Sequence, residues 1–433
     1  MRYLMLTLSA ALFLAPVPAT VQAADSEPRF KTERVPAMRE RAYKQLARAR
    51  DLAEEARHVE ALEILGKLRD DRRSNAYEKA MAWNLSAYVS YELDRPADAI
   101  EAYRQVLAQE TIPSALRVNT LYQLGQMHMT TNQYAEAARA LEQWFELAEN
   151  PGASAYILLG SAYYQLQDYA RARQPIETAL AESRAKGEKP AENALLLLRA
   201  IYFADENFAE MAGVLKELCQ HYPGREYWVQ LAAVYGRLGQ SEQQLAAMVY
   251  AHDVGYLETQ SDFVTLAQLL LGAEVPYKAA EVLSGAMDKG VVERNIRHQR
   301  MLADAWLLSK ELDQAIDAMA EAARQSADGD LSLRLAELLF EAGRYGESID
   351  ASRAALGKGG LSAPEKAHLV AGLALYELDR FSDARQSFRE AAAFDGTRQV
   401  ASQWMAFIEK EIRRVSVIRE MRQAGSGQRA SAS

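Results

Sequence analysis

The sequence predicts an all-α fold, a right-handed superhelical solenoid of about ten helix pairs with a C-terminal capping helix, and three observations carry that prediction. First, a position usually held by a small residue, with an aromatic or proline often three residues before it, recurs at Ala61, Ala99, Ala137, Ala172, Met211, Gln244, Ala279, Ala315, Ser348 and Ala384. The intervals are 38, 38, 35, 39, 33, 35, 36, 33 and 36 residues, a period that fits one helix, a tight turn and a second helix. Second, Ala-rich amphipathic windows fill the space between these positions. Strand-rich chains carry more β-branched runs and more turn punctuation than the 12 prolines and 23 glycines found here. Third, 433 residues at 49% hydrophobic and 25% charged are ordinary for a folded chain, with ample apolar surface to bury between helices.

The first element, residues 1–23, is an address rather than part of the fold. Arg2 gives a short positive start, Tyr3 to Leu14 is an apolar run, and Val21-Gln22-Ala23 supplies small residues for cleavage after Ala23. The run is shorter than the ~20 residues that span a bilayer. The only cysteine is Cys219, so a lipid on an N-terminal cysteine and an internal disulfide are both excluded. Residues 24–35 form a mature leader, and the solenoid follows over residues 36–394.

Within each pair the residue types answer to packing. Leu159, Gly160 and Tyr163 lie three to four apart and share a face of the first helix, where the glycine admits a neighbouring helix and the aromatic fills the remaining space. On the second helix Ala172 and Ala179 face the crossing, where larger residues overpack by ~1 to 3 kcal/mol. Asn132, Asp168, Asn207 and Asp379 stand where a side chain caps the second helix, and Pro96 and Pro276 where its first turn tolerates proline. Met211 and Gln244 replace the small residue, which predicts wider crossings around residues 205–250.

These features resemble the tetratricopeptide-repeat family over about residues 36–394, with the clearest copy running from Leu159-Gly160 and Tyr163 through Asp168-Tyr169 to Ala172 and Ala179. A narrower likeness lies in LEQWFELAENP (141–151), NALLLLRAIYF (193–203), EYWVQLAAVYG (226–236) and LAQLLLGAEVPYKAAEVL (266–283). These strings look like the periplasmic members of that family assigned to TonB energy-transduction systems. The resemblance implies periplasmic residence, protein or peptide partners, and a place beside TonB, ExbB and ExbD. It brings no catalytic motif and no cofactor.

In such repeats the first helix of each pair lines the concave face. For the second to fourth repeats the positions free of the intrahelical core are Asn84, Tyr88, Tyr91, Asn119, Tyr122, Gln126, Ser154, Ile157, Ser161, Tyr164 and Gln165. Amides pair with an extended peptide's backbone and tyrosines give broad contact area at low entropy cost. Farther on, Leu196, Phe203, Val229, Ala233, Val264 and Leu271 form a more apolar floor. A clamp for acidic tails needs cations on adjacent first helices. Only Arg297 and Arg300 come near, on one helix, so that mode is not predicted.

Pro175 inside a second helix, with the long stretch Ser183 to Pro190, predicts a kink or change of curvature over residues 175–190. Val400, Trp404, Ile408, Ile412 and Val415 recur at helical spacing and predict a capping helix over 395–422, followed by a disordered tail over 423–433.

Residues 31–50 carry seven Lys/Arg against two Asp/Glu, residues 398–433 seven against three, and residues 51–397 carry 34 against 52. An acidic body repels phosphates, which argues against nucleic acid as a partner; the basic ends allow at most peripheral contact with anionic lipid. No two of the six histidines stand at metal-ligand spacing, and neither a Gly-x-Ser-x-Gly elbow nor a phosphate-binding loop is present. Gly357-Lys358-Gly359-Gly360 reads as a helix stop. The expectation is therefore a non-enzymatic scaffold without metal or cofactor. The alternative is a scaffold for envelope assembly, such as polysaccharide or peptidoglycan export. A helical enzyme would need a catalytic domain for which the repeats leave no segment.

Overall fold

Among residues 36–430, which the computed structural model describes, the chain forms 21 α-helices and no strand. The expected signal peptide 1–23 and leader 24–35 lie outside the described residues, as do the last three residues of the tail. The chain divides into two compact units, the first ending at Leu166 and the second beginning at Gln167. The first unit holds the pairs α1 (Glu40–Glu54) with α2 (His58–Asp70), α3 (Ala76–Glu92) with α4 (Pro96–Leu107), and α5 (Ser114–Thr130) with α6 (Tyr134–Leu147), then α7 (Ala153–Gln165). The second begins with α8 (Tyr169–Ala185) and continues as α9 (Glu192–Ala204) with α10 (Phe208–His221), α11 (Arg225–Arg237) with α12 (Ser241–Asp253), and α13 (Gln260–Gly272) with α14 (Pro276–Asp288). It ends with α15 (Ile296–Leu308) and α16 (Leu312–Gln325), α17 (Asp330–Glu341) and α18 (Tyr345–Lys358), α19 (Pro364–Glu377) and α20 (Phe381–Ala392), and the single helix α21 (Arg398–Ala430).

The turn inside each pair is built on one residue in the left-handed region, always five positions before the recurring small site. These are Ala56, Asp94, Asn132, Gln167, Glu206, Gly239, Glu274, Lys310, Gly343 and Asp379, with φ between 53° and 71°. The next residue closes the helix end by donating its N–H five residues back, as Arg57 does to Leu52, Gln133 to His128 and Glu311 to Trp306, at 2.8–2.9 Å. This closure satisfies carbonyls that the helix end leaves unpaired. It also corrects two of the expected caps. Asp168 and Asn207 do accept from the backbone N–H of Arg171 and Glu210, but Asn132 and Asp379 stand one position earlier, in the left-handed site itself. There a short polar side chain lowers the conformational cost rather than capping the helix.

The small residues at the crossings are buried to 0–1% exposure at Ala61, Ala99, Ala137, Ala279, Ala315, Ser348 and Ala384. Glycine in the facing helix admits bulk from the partner: a Cβ at Gly125 would lie 2.8 Å from Leu141, and one at Gly372 would lie 3.0 Å from Phe388. The α11/α12 pair reverses the sizes. Gln244 takes the small site, but Gly236 faces it, with room for a Cβ already filled by the Gln244 amide at 2.8 Å. Bulk is exchanged across the crossing, so Gln244 does not itself demand the wider crossing expected from sequence.

Successive pairs are tied at their first-helix starts. Arg39, which precedes α1, donates from its backbone N–H and guanidinium to the fully buried carboxylate of Glu78 in α3, at 2.6–3.0 Å. One repeat-length apart in the same way, Arg225 of α11 bridges Asp262 of α13 at 2.8 Å. Both carboxylates also close capping boxes, with Asn75 and Thr259. Farther on, Asp330 accepts from the backbone and hydroxyl of Ser362 at 2.9 and 3.1 Å.

Helix α8 runs over Tyr169–Ala185 with Pro175 buried within it, and the chain divides into its two units after Leu166. The last helix caps α20 through Ala401, Trp404, Ile408 and Ile412, with Trp404 stacked on Phe388 at 5.6 Å. Val400 and Val415, expected on the same buried stripe, are exposed, Val400 because it lies to the side of the packed face and Val415 because it stands beyond it. The helix backbone continues to Ala430, past residue 422, where sequence reading ended it. Its only interruptions to helix propensity there are two glycines, and neither is a proline stop.

Candidate partner-binding groove

The residues expected to receive a partner all fall in the first unit, on α3, α5 and α7. Spacings of three, four and seven residues put Asn84, Tyr88 and Tyr91 on one face of α3, Asn119, Tyr122 and Gln126 on one face of α5, and Ser154, Ile157, Ser161 and Tyr164 on one face of α7. Gln165 adjoins the last of these. None is buried: Tyr88 and Tyr91 are 48% and 39% exposed, Asn119, Ser154 and Gln165 are exposed, and the others are half-buried. The opposite faces of the same helices carry the core, including Ala82, Ala87 and Val89, Leu121 and Leu124, and Leu159 and Ala162. On each of these helices the expected partner-facing positions and the core positions thus lie on different faces.

The polar heads differ in how free they are. Ser161 donates back to the carbonyl of Ile157 in its own helix at 2.7 Å and is already satisfied. Tyr122 leans on Trp144 of α6, ring centroids 5.1 Å apart, and burial pushes its phenol pKa up. Tyr88 keeps its proton as well: burial raises its pKa first, and the carboxylates of Glu92 and Glu54 raise it further. At neutral pH both phenols are O–H donors, and Tyr88 stands in a locally acidic setting.

Two groups were missed by sequence reading. Tyr43 of α1 is 65% exposed and stands 18 residues before its small site, the register of Asn119 and Ser154 in the later repeats. It lies in the first repeat, where His58 stands at the position that holds an aromatic or a proline in most of the others. The second group is a run of rings, Tyr122 to Trp144 at 5.1 Å, Trp144 to Phe145 at 5.0 Å and Phe145 to Tyr156 at 4.8 Å, joining α5, α6 and α7. Its spacing is legible only once the helices are stacked. The run stiffens the wall behind Tyr122.

In the second unit the expected apolar floor is partly crossed by polarity. Phe203 is 57% exposed and Leu196, Val229, Val264 and Leu271 are half-buried, but Arg199 of α9 donates to Gln230 of α11 at 2.7 Å. Arg300, Arg334 and Lys366, from the first helices α15, α17 and α19, line one depression of about 320 Å³, so cations do gather on adjacent first helices. Asp304, Asp330 and Glu337 line it too, and Arg334 is paired with Glu337 at 2.9 Å. The equal number of carboxylates keeps this depression from being an acidic-tail clamp.

No helix among the described residues is long and apolar enough to cross a membrane, and no group of three His, Cys, Asp or Glu among them is arranged to hold a metal ion. Cys219 is buried, which pushes its thiol up to about 12 and leaves it a poor nucleophile.

Residues 122–193 and 333–398 match the tetratricopeptide repeat family. No curated protein matches the chain. Among solved structures it is similar to a tetratricopeptide repeat protein from Parabacteroides merdae, at 17% identity over 61% of this chain and 99% of that one, with a TM-score of 0.35. It is also similar to the C-terminal part of a repeat protein from Cytophaga hutchinsonii (14% identity, 65% and 95% covered, TM-score 0.36). A third is YrrB, described as a repeat protein with an unusual peptide-binding site (15% identity, 40% and 86% covered, TM-score 0.34). The matched family is a scaffold for holding proteins, and no catalytic family is indicated.

Proposed function

We propose that this chain is a non-catalytic scaffold that holds an extended protein segment along the first-helix face of its first unit, as an accessory part of a TonB, ExbB and ExbD energising system in the periplasm. The observation that carries the binding reading is the row of uncommitted polar heads. Asn84, Asn119 and Gln126 offer amides, and Tyr43, Tyr88 and Tyr91 offer exposed phenols on rigid helices. Amides match the donor and acceptor of a peptide unit, and tyrosines supply contact area with only two torsions to freeze. Placement on helices holds the row in register before the partner arrives, which lowers the ordering cost of binding. The periplasmic setting and the TonB context rest on the N-terminal address and on the resemblance in residues 141–151, 193–203, 226–236 and 266–283.

The test is crosslinking in cells with a photoreactive residue at Tyr88 or Asn119, and at exposed second-helix positions Glu101 and Arg139 as controls. Adducts with TonB, ExbB or ExbD from the first pair, and none from the controls, are the expected result. Equal labelling from both faces would overturn the groove. Adducts confined to envelope-export proteins would keep the groove and overturn the TonB assignment.

A further inference from the structure

We propose that α21 pairs with the α21 of a second copy of this chain, antiparallel and centred on Val415. The helix packs on the stack through Ala401, Trp404 and Ile408, with Ala401 and Ile408 fully buried, and that contact ends at half-buried Ile412. The apolar stripe does not end there. Ile412, Val415 and Ile418 follow at three-residue steps, each about 60° round the helix from the last, and Val415 and Ile418 are 43% and 38% exposed. Phe407, on the flank of the same stripe, is 44% exposed. A helix that leaves the stack while still carrying its packing face lacks a cover for that face.

The charges say which cover fits. Glu411 lies four residues before Val415 and Arg419 four residues after it. In an antiparallel pair centred on Val415, each Glu411 meets the partner's Arg419, each Ile412 meets the partner's Ile418, and the two Val415 side chains meet on the axis. A parallel pair would set Arg419 against Arg419 and Glu411 against Glu411, which repel. Glu411 already accepts from Arg414 of its own helix at 2.7 Å, and no ion pair engages Arg419 among the described residues. The surface is therefore self-complementary in one direction only, as a twofold interface requires.

Sedimentation of the mature chain over a wide concentration range should show a monomer–dimer equilibrium. Glu411→Arg should weaken the dimer about tenfold by turning two attractive pairs repulsive, and Glu411→Arg combined with Arg419→Glu should restore it. A Val415→Cys chain should form a disulfide-linked dimer under mild oxidation, whereas Glu411→Cys should not, because antiparallel helices separate those two positions. A far-UV spectrum unchanged in each variant excludes unfolding as the cause. A monomer at every concentration, equal crosslinking at both cysteine positions, absence of rescue by the charge exchange, or binding to anionic lipid vesicles as a monomer would each overturn the proposal.

Discussion

The strongest single-residue constraints are at positions where a side chain is missing or a torsion is unusual. A Cβ at Gly125 would lie 2.8 Å from two atoms of the buried Leu141, whereas one at Gly213 or Gly285 meets nothing within 4 Å. Gly125→Ala should therefore lower stability by about 1–3 kcal/mol through overpacking. Gly213→Ala and Gly285→Ala, inside α10 and α14, should raise it by about 0.5–1 kcal/mol through helix propensity. Denaturant midpoints of the three variants check both signs. Lys310 poses the opposite case, with φ of 66° on a residue that has a Cβ. A left-handed residue with a side chain costs roughly 1–2 kcal/mol, and glycine's extra unfolded-state entropy returns part of that gain. Lys310→Gly should thus be mildly stabilising and Gly343→Ala destabilising, measured the same way. The small sites were legible because burial demands small residues at a fixed period. The left-handed sites were not, because eight of the ten carry residues other than glycine, and no composition signal marks them.

At the scale of the element, the helix starts of α3 and α13 combine a cap, a buried carboxylate and an arginine from the start of the previous first helix. Burial alone pushes the Glu78 carboxyl up, but hydrogen bonds from the Arg39 side chain and from the backbone N–H groups of Arg39 and Asn75 outweigh it and hold the group below its ordinary 4.5. Asp262 is likewise held below 3.8: burial opposes this, and the N–H groups of Thr259 and Glu258 and the Arg225 guanidinium prevail. A carboxylate depressed in the folded state contributes stability that is present above its unfolded pKa and lost as pH falls through the folded one. The thermal midpoint should accordingly hold from neutral pH down to about 4.5 and drop below it. Glu78→Gln should lower the midpoint at neutral pH and flatten that drop; an equally steep acid limb in the variant would assign the loss to other carboxylates. The capping signals of these helices stand in the sequence as Asn75-x-x-Glu78 and Thr259-x-x-Asp262. The arginine partners lie 37 and 39 residues away, and only the stacking of pairs brings them in.

For the whole molecule, the sequence's period yields the paired-helix fold, and helix spacing yields which side of each first helix in the first unit lies outside the core. Tyr43 and the rings from Tyr122 to Tyr156 escaped because one sits in a degenerate repeat and the others meet only across helices. The binding reading has a consequence that separates it from packing. Tyr88 and Tyr91 are exposed, so their removal takes little from the core, and surface changes of this kind usually shift stability by no more than about 0.5 kcal/mol. If they are anchors for a held segment, Tyr88→Ala should cost about 2 kcal/mol of binding, some thirtyfold in affinity, while Asn84→Ala or Asn119→Ala should cost about 1 kcal/mol each. Tyr88→Phe keeps the ring and loses the O–H, so its smaller loss measures the donor alone. Because burial and then Glu92 and Glu54 push the Tyr88 phenol above its ordinary 10, that donor stays protonated and its contribution should not change between pH 6 and 9 in this pair of variants. Affinity for a TonB-system segment, measured with thermal midpoints as the control, decides the matter. Binding that weakens only in step with the midpoint would mean that these tyrosines serve the fold.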